Sequence, residues 1–248
     1  MSGSILVVIS DTHIGSNTAL APLEFGVHNR NTLEVQVTQA NKLQCWLHEC
    51  WQDFWEYVRF RQGKGRKAKR LIVAHLGDVI DGSHHSTTQI VQEVADQVVM
   101  AMELLEPIRN RANMFIGILG TSPSHTGQDH VNEANLFKEL GADFIEQNLT
   151  LDIDGTLIDL AHHGRAGTRP WTTAAANLGV EVMLDYAQNG QPLPNYIFRG
   201  HRHTFDDSGA KFENTRIIQC PSWQLKTAYS FRTSANTTRS DIGGIILE

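Results

Sequence analysis

The chain opens on a continuous apolar run, Ile5 to Ser10, set between polar residues. A short run without alternation predicts a strand buried on both faces, and similar runs recur at Leu71 to Leu76 and Met114 to Leu119. Tyr196 to Arg199, Arg216 to Gln219 and Gly243 to Leu247 are read as strands too, and Phe144-Ile145 starts another. Between them the apolar positions change to a helical period. From about Thr32 to Arg61 no Pro or Gly interrupts, and Leu43, Trp46, Leu47, Trp51, Phe54, Trp55 and Val58 form one stripe, predicting a long amphipathic helix. Its three tryptophans read as core rather than as a binding platform. Gln89 to Arg111 predicts a second helix with Ile90, Val94, Val98, Met102 and Leu105 on one face. Asn132 to Leu140 predicts a short third, and Pro170 to Gln188 a fourth with Pro170 near its start. Gly15 to Asn31, polar and punctuated by Gly15, Pro22 and Gly26, reads as a long loop. The segment Leu149 to Gly164 alternates around Asp154-Gly155, a strong hairpin signal, and brings His162-His163 to a strand end.

Strands that first alternate with helices and later form hairpins predict an α/β chain with mixed sheets and outer helices. No repeat or composition break marks a second domain, so residues 1–248 are read as one domain. The composition, 41% hydrophobic and 19% charged, is that of a globular chain, and the net charge of −6 does not suit a general nucleic-acid coat. One segment runs against that balance. Arg59 to Arg70 is densely basic; it reads first as a solvated helix end and second as a contact for DNA or RNA. Cys45, Cys50 and Cys220 cannot all pair and lack zinc-ribbon spacing, which predicts reduced thiols and a cytoplasmic protein. The N-terminus lacks a basic leader and enters a strand by Ile5, which argues against a signal peptide, and no apolar stretch approaches the roughly 18 to 20 residues of a membrane span.

The chemistry lies where the strands end. Asp11-Thr12-His13 follows the first strand, Gly77-Asp78 the second, and Gly200-His201-Arg202-His203 the strand at Tyr196. Carboxylates can bridge two cations, and neutral imidazoles suit manganese, iron, zinc or nickel, so this set is what a two-metal hydrolytic site requires. His48, inside the helical stripe, and His75, inside a strand, read as structural.

A D-x-H, G-D and G-H-x-H set in this order resembles the calcineurin-like metallophosphoesterase family, over nearly the whole chain from Asp11 to His203. The resemblance implies a four-layer α/β/β/α sandwich. It also implies that Asp11, His13 and His203 hold one metal, that Asp78 bridges, and that His201 and His163 hold the second, with His162 a rival for that last place. The third block departs from the family's Gly-Asn-His. Here Gly120-Thr121 is followed by a delayed His125, which resembles a version found in some phage-type members. Thr121 takes the Asn position, and His125 is either a ligand or the general acid. Arg165 and Arg169 are candidates to hold phosphate oxygens, Arg165 first among them, and Asp81 to orient a ligand. His84, His85, Asp129 and His130 are weaker candidates for substrate contact. The implied activity is a metal-dependent phosphoesterase, preferring diesters, in which a hydroxide between two divalent cations, manganese first, attacks phosphorus in line. The substrate is a phosphate ester, with nucleotides and nucleic acid both open. The alternatives are a nuclease and a non-catalytic scaffold on the same fold.

Overall fold

The computed structural model describes residues 3–29, 31–32, 34–83, 89–163, 174–227 and 240–248. In chain order the elements are β1 (Ser4–Ile9), β2 (Glu24–His28), β3 (Val35–Gln39), α1 (Lys42–Gln62), β4 (Arg70–His75), α2 (Val94–Arg109), β5 (Met114–Ile118) and α3 (Val131–Glu139). They continue with β6 (Phe144–Glu146), β7 (Asn148–Ile153), β8 (Thr156–Ala161), α4 (Ala174–Gln188), β9 (Tyr196–Arg199), β10 (Asp206–Asp207), β11 (Arg216–Gln219) and β12 (Ile245–Leu247). Two five-stranded sheets result, ordered β12-β1-β4-β5-β6 and β10-β11-β9-β8-β7. Both are mixed: β1, β4, β5 and β6 run parallel with β12 against them, and β8, β9 and β11 run parallel with β7 and β10 against them.

The layering follows from the period-two geometry of strands. Along β1, Ile5, Val7 and Ile9 join Leu47, Trp51, Trp55, Met100 and Phe137 in one cluster, so α1, α2 and α3 cover that face. Leu6 and Val8, pointing the other way, meet Ile158, Leu160, Phe198 and Ile218 of the second sheet. On the far side of that sheet, Ala175 and Leu178 of α4 pack on Ile197 and Ile217. The chain is thus a four-layer α/β/β/α sandwich. A sheet covered on both faces explains why its strands read as continuous apolar runs rather than alternating ones.

Three boundaries differ from the sequence reading. The first helix begins at Lys42, not near Thr32. Asn41 accepts from the amides of Leu43 and Gln44, and the Gln44 side chain accepts from the Asn41 amide, a reciprocal cap that stops the helix there. The residues before it, Val35–Gln39, form β3, which pairs with β2 inside what reads as the Gly15 to Asn31 loop. The second helix begins at Val94, not Gln89; the residues before it are tied to the first strand's loop, with the amides of Ile90 and Val91 both donating to the carbonyl of Gly15. Its buried face is Gln97, Met100, Ala101, Leu104, Leu105 and Ile108; Val94, Val98 and Met102 sit only at its margin. Pro170 lies outside the described residues. Trp51 and Trp55 do enter the core, stacked edge-on with Trp51 against Trp223 at 4.7 Å, whereas Trp46 is half exposed.

The hairpin at Asp154-Gly155 forms with positive φ at both residues, 53° and 85°, as a tight two-residue turn demands. In the basic segment Arg61 and Lys69 both pair with Glu248, at 2.7 and 2.5 Å. That segment lies where β4 begins, about 20 Å of strand from the end that releases Asp78. No described helix is long and apolar enough to cross a membrane, and the three cysteines are unpaired.

Candidate metal centre

Parallel strands end on the same side, so β1, β4, β5, β8 and β9 deliver their following residues to one edge of the sandwich. The two sheets are stitched together there. The His201 amide donates to Asp11 Oδ2 at 2.9 Å and His162 Nδ1 to the Leu76 carbonyl at 2.7 Å, while within the second sheet the Gly200 amide donates to the His162 carbonyl at 2.9 Å. The backbone pays for this convergence. Asp11, His13, Asp78, His201 and His203 all have positive φ, between 41° and 69°. Only three other non-glycine residues among those described share that property: Asp129, His130 and Asp154. Left-handed backbone costs an ordinary residue roughly 1–2 kcal/mol, and such strain collects where side chains must be aimed.

The aimed side chains form adjoining groups. Asp11, His13 and His203 make one: His13 Nε2 lies 3.1 Å from His203 Nε2, and His203 Nε2 lies 3.2 Å from Asp11 Oδ1. His162, His163 and His201 make another. Asp78 stands between them, its Oδ2 3.1 Å from His162 Nε2 and 3.9 Å from His13 Nε2. The hydroxyl of Thr121 completes the second group, with Oγ1 3.0 Å from Asp78 Oδ2, 3.1 Å from His162 Nε2 and 3.2 Å from His201 Nδ1. His125 lies on the first side, its ring edge-on to His13 at 4.5 Å and its Nδ1 donating to the Asp81 carbonyl at 2.8 Å. Asp81 Oδ1 in turn faces His13 Nδ1 at 3.4 Å, as an orienting carboxylate would.

Of the adjacent histidines, His162 is the buried one that faces Asp78, while His163 is more open, its ring 5.0 Å from that of His201. Both contribute to the same group of ligand atoms. Asp129 is exposed and His130 leans on Thr126 Oγ1 at 3.2 Å. Arg165, Arg169, His84 and His85 lie outside the described residues. His48 bonds the Ala21 carbonyl at 3.1 Å, and His75 bonds the Gly77 amide at 3.1 Å; neither joins a ligand group.

The electrostatics call for positive charge in this cluster. Burial alone would lower the basicity of His162, yet the charge of Asp78 and its bond raise it to about 9. His13 is raised to about 10 against the same burial, by Asp11 and Asp81. Asp78 and Asp11, which burial would push up, are instead held well below the carboxylate range, Asp78 chiefly by His162 and Asp11 chiefly by His203. His201 falls to about 4, and His163 falls as well, through burial and then repulsion from His162. Asp11 Oδ1 is buried without a hydrogen bond, and two imidazole Nε2 atoms face each other at 3.1 Å. Such lone pairs converge on a shared point rather than on one another. Carboxylate and imidazole atoms without a thiolate suit a borderline divalent cation, and the residues therefore fit the implied metals.

Sequence reading missed one group that holds the site. Glu133 of α3 is fully buried; its Oε1 accepts from the Val79 amide at 2.9 Å and its Oε2 from the Gly120 amide at 2.6 Å. One carboxylate so clamps the two loops that present Asp78 and Thr121. Burial and the nearby charge of Asp78 push Glu133 up to about 7. An acidic residue in a short amphipathic helix carries no signal of this in sequence. Glu133→Ala should leave both amides without an acceptor and cost roughly 2–4 kcal/mol. Chemical unfolding would read that as a lower midpoint, accompanied by weaker metal binding in a titration; an unchanged midpoint would contradict the clamp.

No family model and no curated protein matches the chain. Among solved structures it is similar to a single mutant of Vps29 from Entamoeba histolytica, at 13% identity over 98% of this chain and 85% of that one, with a TM-score of 0.43. It is similar to an archaeal phosphodiesterase at 11% identity over 98% and 99% of the two chains, TM-score 0.42. It is also similar to Yfce, a phosphoesterase from E. coli, at 12% identity over 90% and 82%, TM-score 0.44. With TM-scores below 0.5, these likenesses carry no weight beside the site's own residues. Its motif order, the placement of those motifs at strand ends and its α/β/β/α layering are those that the resemblance to the calcineurin-like metallophosphoesterases implies.

Proposed function

We propose that the protein is a metal-dependent phosphoesterase that prefers phosphodiesters. The observation that carries this reading is the convergence of carboxylate and imidazole atoms on the two sides of Asp78. Asp11, His13 and His203 would hold one divalent cation, His201 with His162 and His163 the other, and Asp78 would reach both. Bound there, the cations would supply Lewis-acid polarisation of the phosphoryl oxygens and a nucleophile at neutral pH. Manganese is the first choice from the donor set, with iron, zinc and nickel as alternatives.

The remaining work belongs to the protein. Ser10 Oγ and the His201 amide donate to Asp11 Oδ2 and fix which of its oxygens is presented. The Leu76 carbonyl sets the His162 tautomer and leaves Nε2 for a ligand role. His125 has its Nδ1 committed to the Asp81 carbonyl, so Nε2 is the atom that would give a proton to the leaving oxygen. His125→Ala should then keep metal occupancy and lose on the order of 10² to 10⁴ in rate, least with a very good leaving group. Lost occupancy, partly restored by excess manganese, would make it a ligand instead.

The diester preference is supported by charge. A monoester carries one more negative charge, and the cationic side chains that the sequence offers for phosphate oxygens near the ligand motifs are mainly Arg165 and Arg169. Bis-p-nitrophenyl phosphate should be cleaved faster than p-nitrophenyl phosphate with manganese at neutral pH; the reverse order would make the protein a phosphatase. A nuclease is the weaker reading, because the basic segment at Arg59 to Arg70 lies at the start of β4, away from Asp78. A scaffold without catalysis would retain little metal after dialysis.

A further inference from the structure

A cavity of about 260 Å³ opens beside the metal centre. Gly120 and His163, from two of the strand ends that form the centre, are part of its wall. Its sides are aliphatic: Leu178 and Val182 of α4 with Leu119 and Ala161. The polar residues in its wall are Gln147 and Asn148, where β6 passes into β7, Arg199 at the end of β9, and the two histidines His130 and His163.

Arg199 decides what the cavity suits. It is only 6% exposed, and the hydrogen bonds it makes among the described residues all leave from Nη1, to Asp159 Oδ1 and the Phe198 carbonyl. Asp159 is itself held by the Tyr186 hydroxyl at 2.6 Å. The Nε and Nη2 side of the fork is left for something else. Because Asp159 already balances the cation, a second phosphate would meet a neutral pair rather than a free positive charge. A neutral ring with a carbonyl edge meets an open donor fork without that conflict. Gln147 and Asn148 each offer both a donor and an acceptor, as reading a heterocycle's edge requires. The volume lies just under the roughly 300 Å³ at which pockets for larger ligands begin, enough for one ring system between aliphatic walls.

We propose that this cavity receives the base of a nucleotide, so that the diester presented to the metal centre is a nucleotidyl ester. This rests on the phosphodiesterase reading and names its substrate class. Gln147 and Asn148 are exposed, so Gln147→Ala/Asn148→Ala should fold normally. Thymidine 5′-p-nitrophenyl phosphate and bis-p-nitrophenyl phosphate are to be compared in wild type and in this double variant. The expected result is a KM for the thymidine ester raised about tenfold or more, with kcat and all kinetics on the bis-p-nitrophenyl ester little changed. Equal loss on both esters, or loss on neither, overturns the proposal. If wild type cleaves neither ester, the phosphodiesterase reading fails by itself, and calorimetry with thymidine 5′-monophosphate decides the cavity. Binding by wild type that the double variant lacks supports a base site; absence of binding in wild type overturns it.

Discussion

Asp78→Asn should abolish hydrolysis while leaving the fold in place. Its Oδ1 accepts from the Thr121 amide at 2.6 Å, a bond that an asparagine carbonyl oxygen can keep. What the amide cannot supply is the negative charge that faces His162 and His13 from one oxygen. That charge is strongly favoured where it sits, since His162 holds the carboxyl far below its usual range despite complete burial. A neutral oxygen should not hold two dications together. The expected loss is on the order of 10³-fold or more, about 4 kcal/mol of transition-state stabilisation. Thermal unfolding with and without manganese supplies the control. Wild type should gain stability with metal by mass action, and the variant should gain little. Hydrolysis within about threefold of wild type at saturating manganese would contradict the bridging role.

Gly120→Ala should be nearly as damaging, and through geometry rather than charge. A Cβ built at Gly120 would fall 2.3 Å from the Asp78 amide nitrogen and 2.3 Å from Asp78 Oδ1. The first of these is backbone and has no flexible end to move aside. The Gly120 amide is also fastened to Glu133, so the loop cannot retreat without breaking the clamp. The added methyl should therefore displace Asp78 or melt the loop, at roughly 1–3 kcal/mol of stability and with most of the metal affinity. Manganese titration followed by rate measurement would show both losses. An alanine variant with wild-type occupancy and rate would mean that the two strand ends are not packed as closely as described.

Much of this architecture was legible before any tertiary structure. Strands covered on both faces must be apolar throughout, so β1, β4 and β5 announce themselves as short unbroken runs. A two-residue turn needs positive φ twice, so Asp154-Gly155 announces the β7–β8 hairpin. Less legible were the β2–β3 hairpin and the start of α1. Val35–Gln39 alternates like an exposed strand yet continues without Pro or Gly toward a helix, and only the Asn41 and Gln44 cap separates the two. Helical period caught only part of the inner face of α2: Leu105 is buried as read, while Val94, Val98 and Met102 pack at the margin of the core, because the elements against which α2 packs decide which side turns inward.

The sequence by itself determined which residues stand at the strand ends, since an apolar run followed by a polar, glycine-bearing motif specifies strand and then loop whatever surrounds it. Tertiary structure alone decided how those ends meet. Asp11 and His201, 190 positions apart, are joined by one hydrogen bond between separate sheets. His162 rather than His163 faces Asp78, because the Leu76 carbonyl captures its Nδ1. Glu133 reaches two loops from a helix that gives no sign of it. Each of these is a contact between segments distant along the chain, formed only when burial forces buried polar groups to find partners in space.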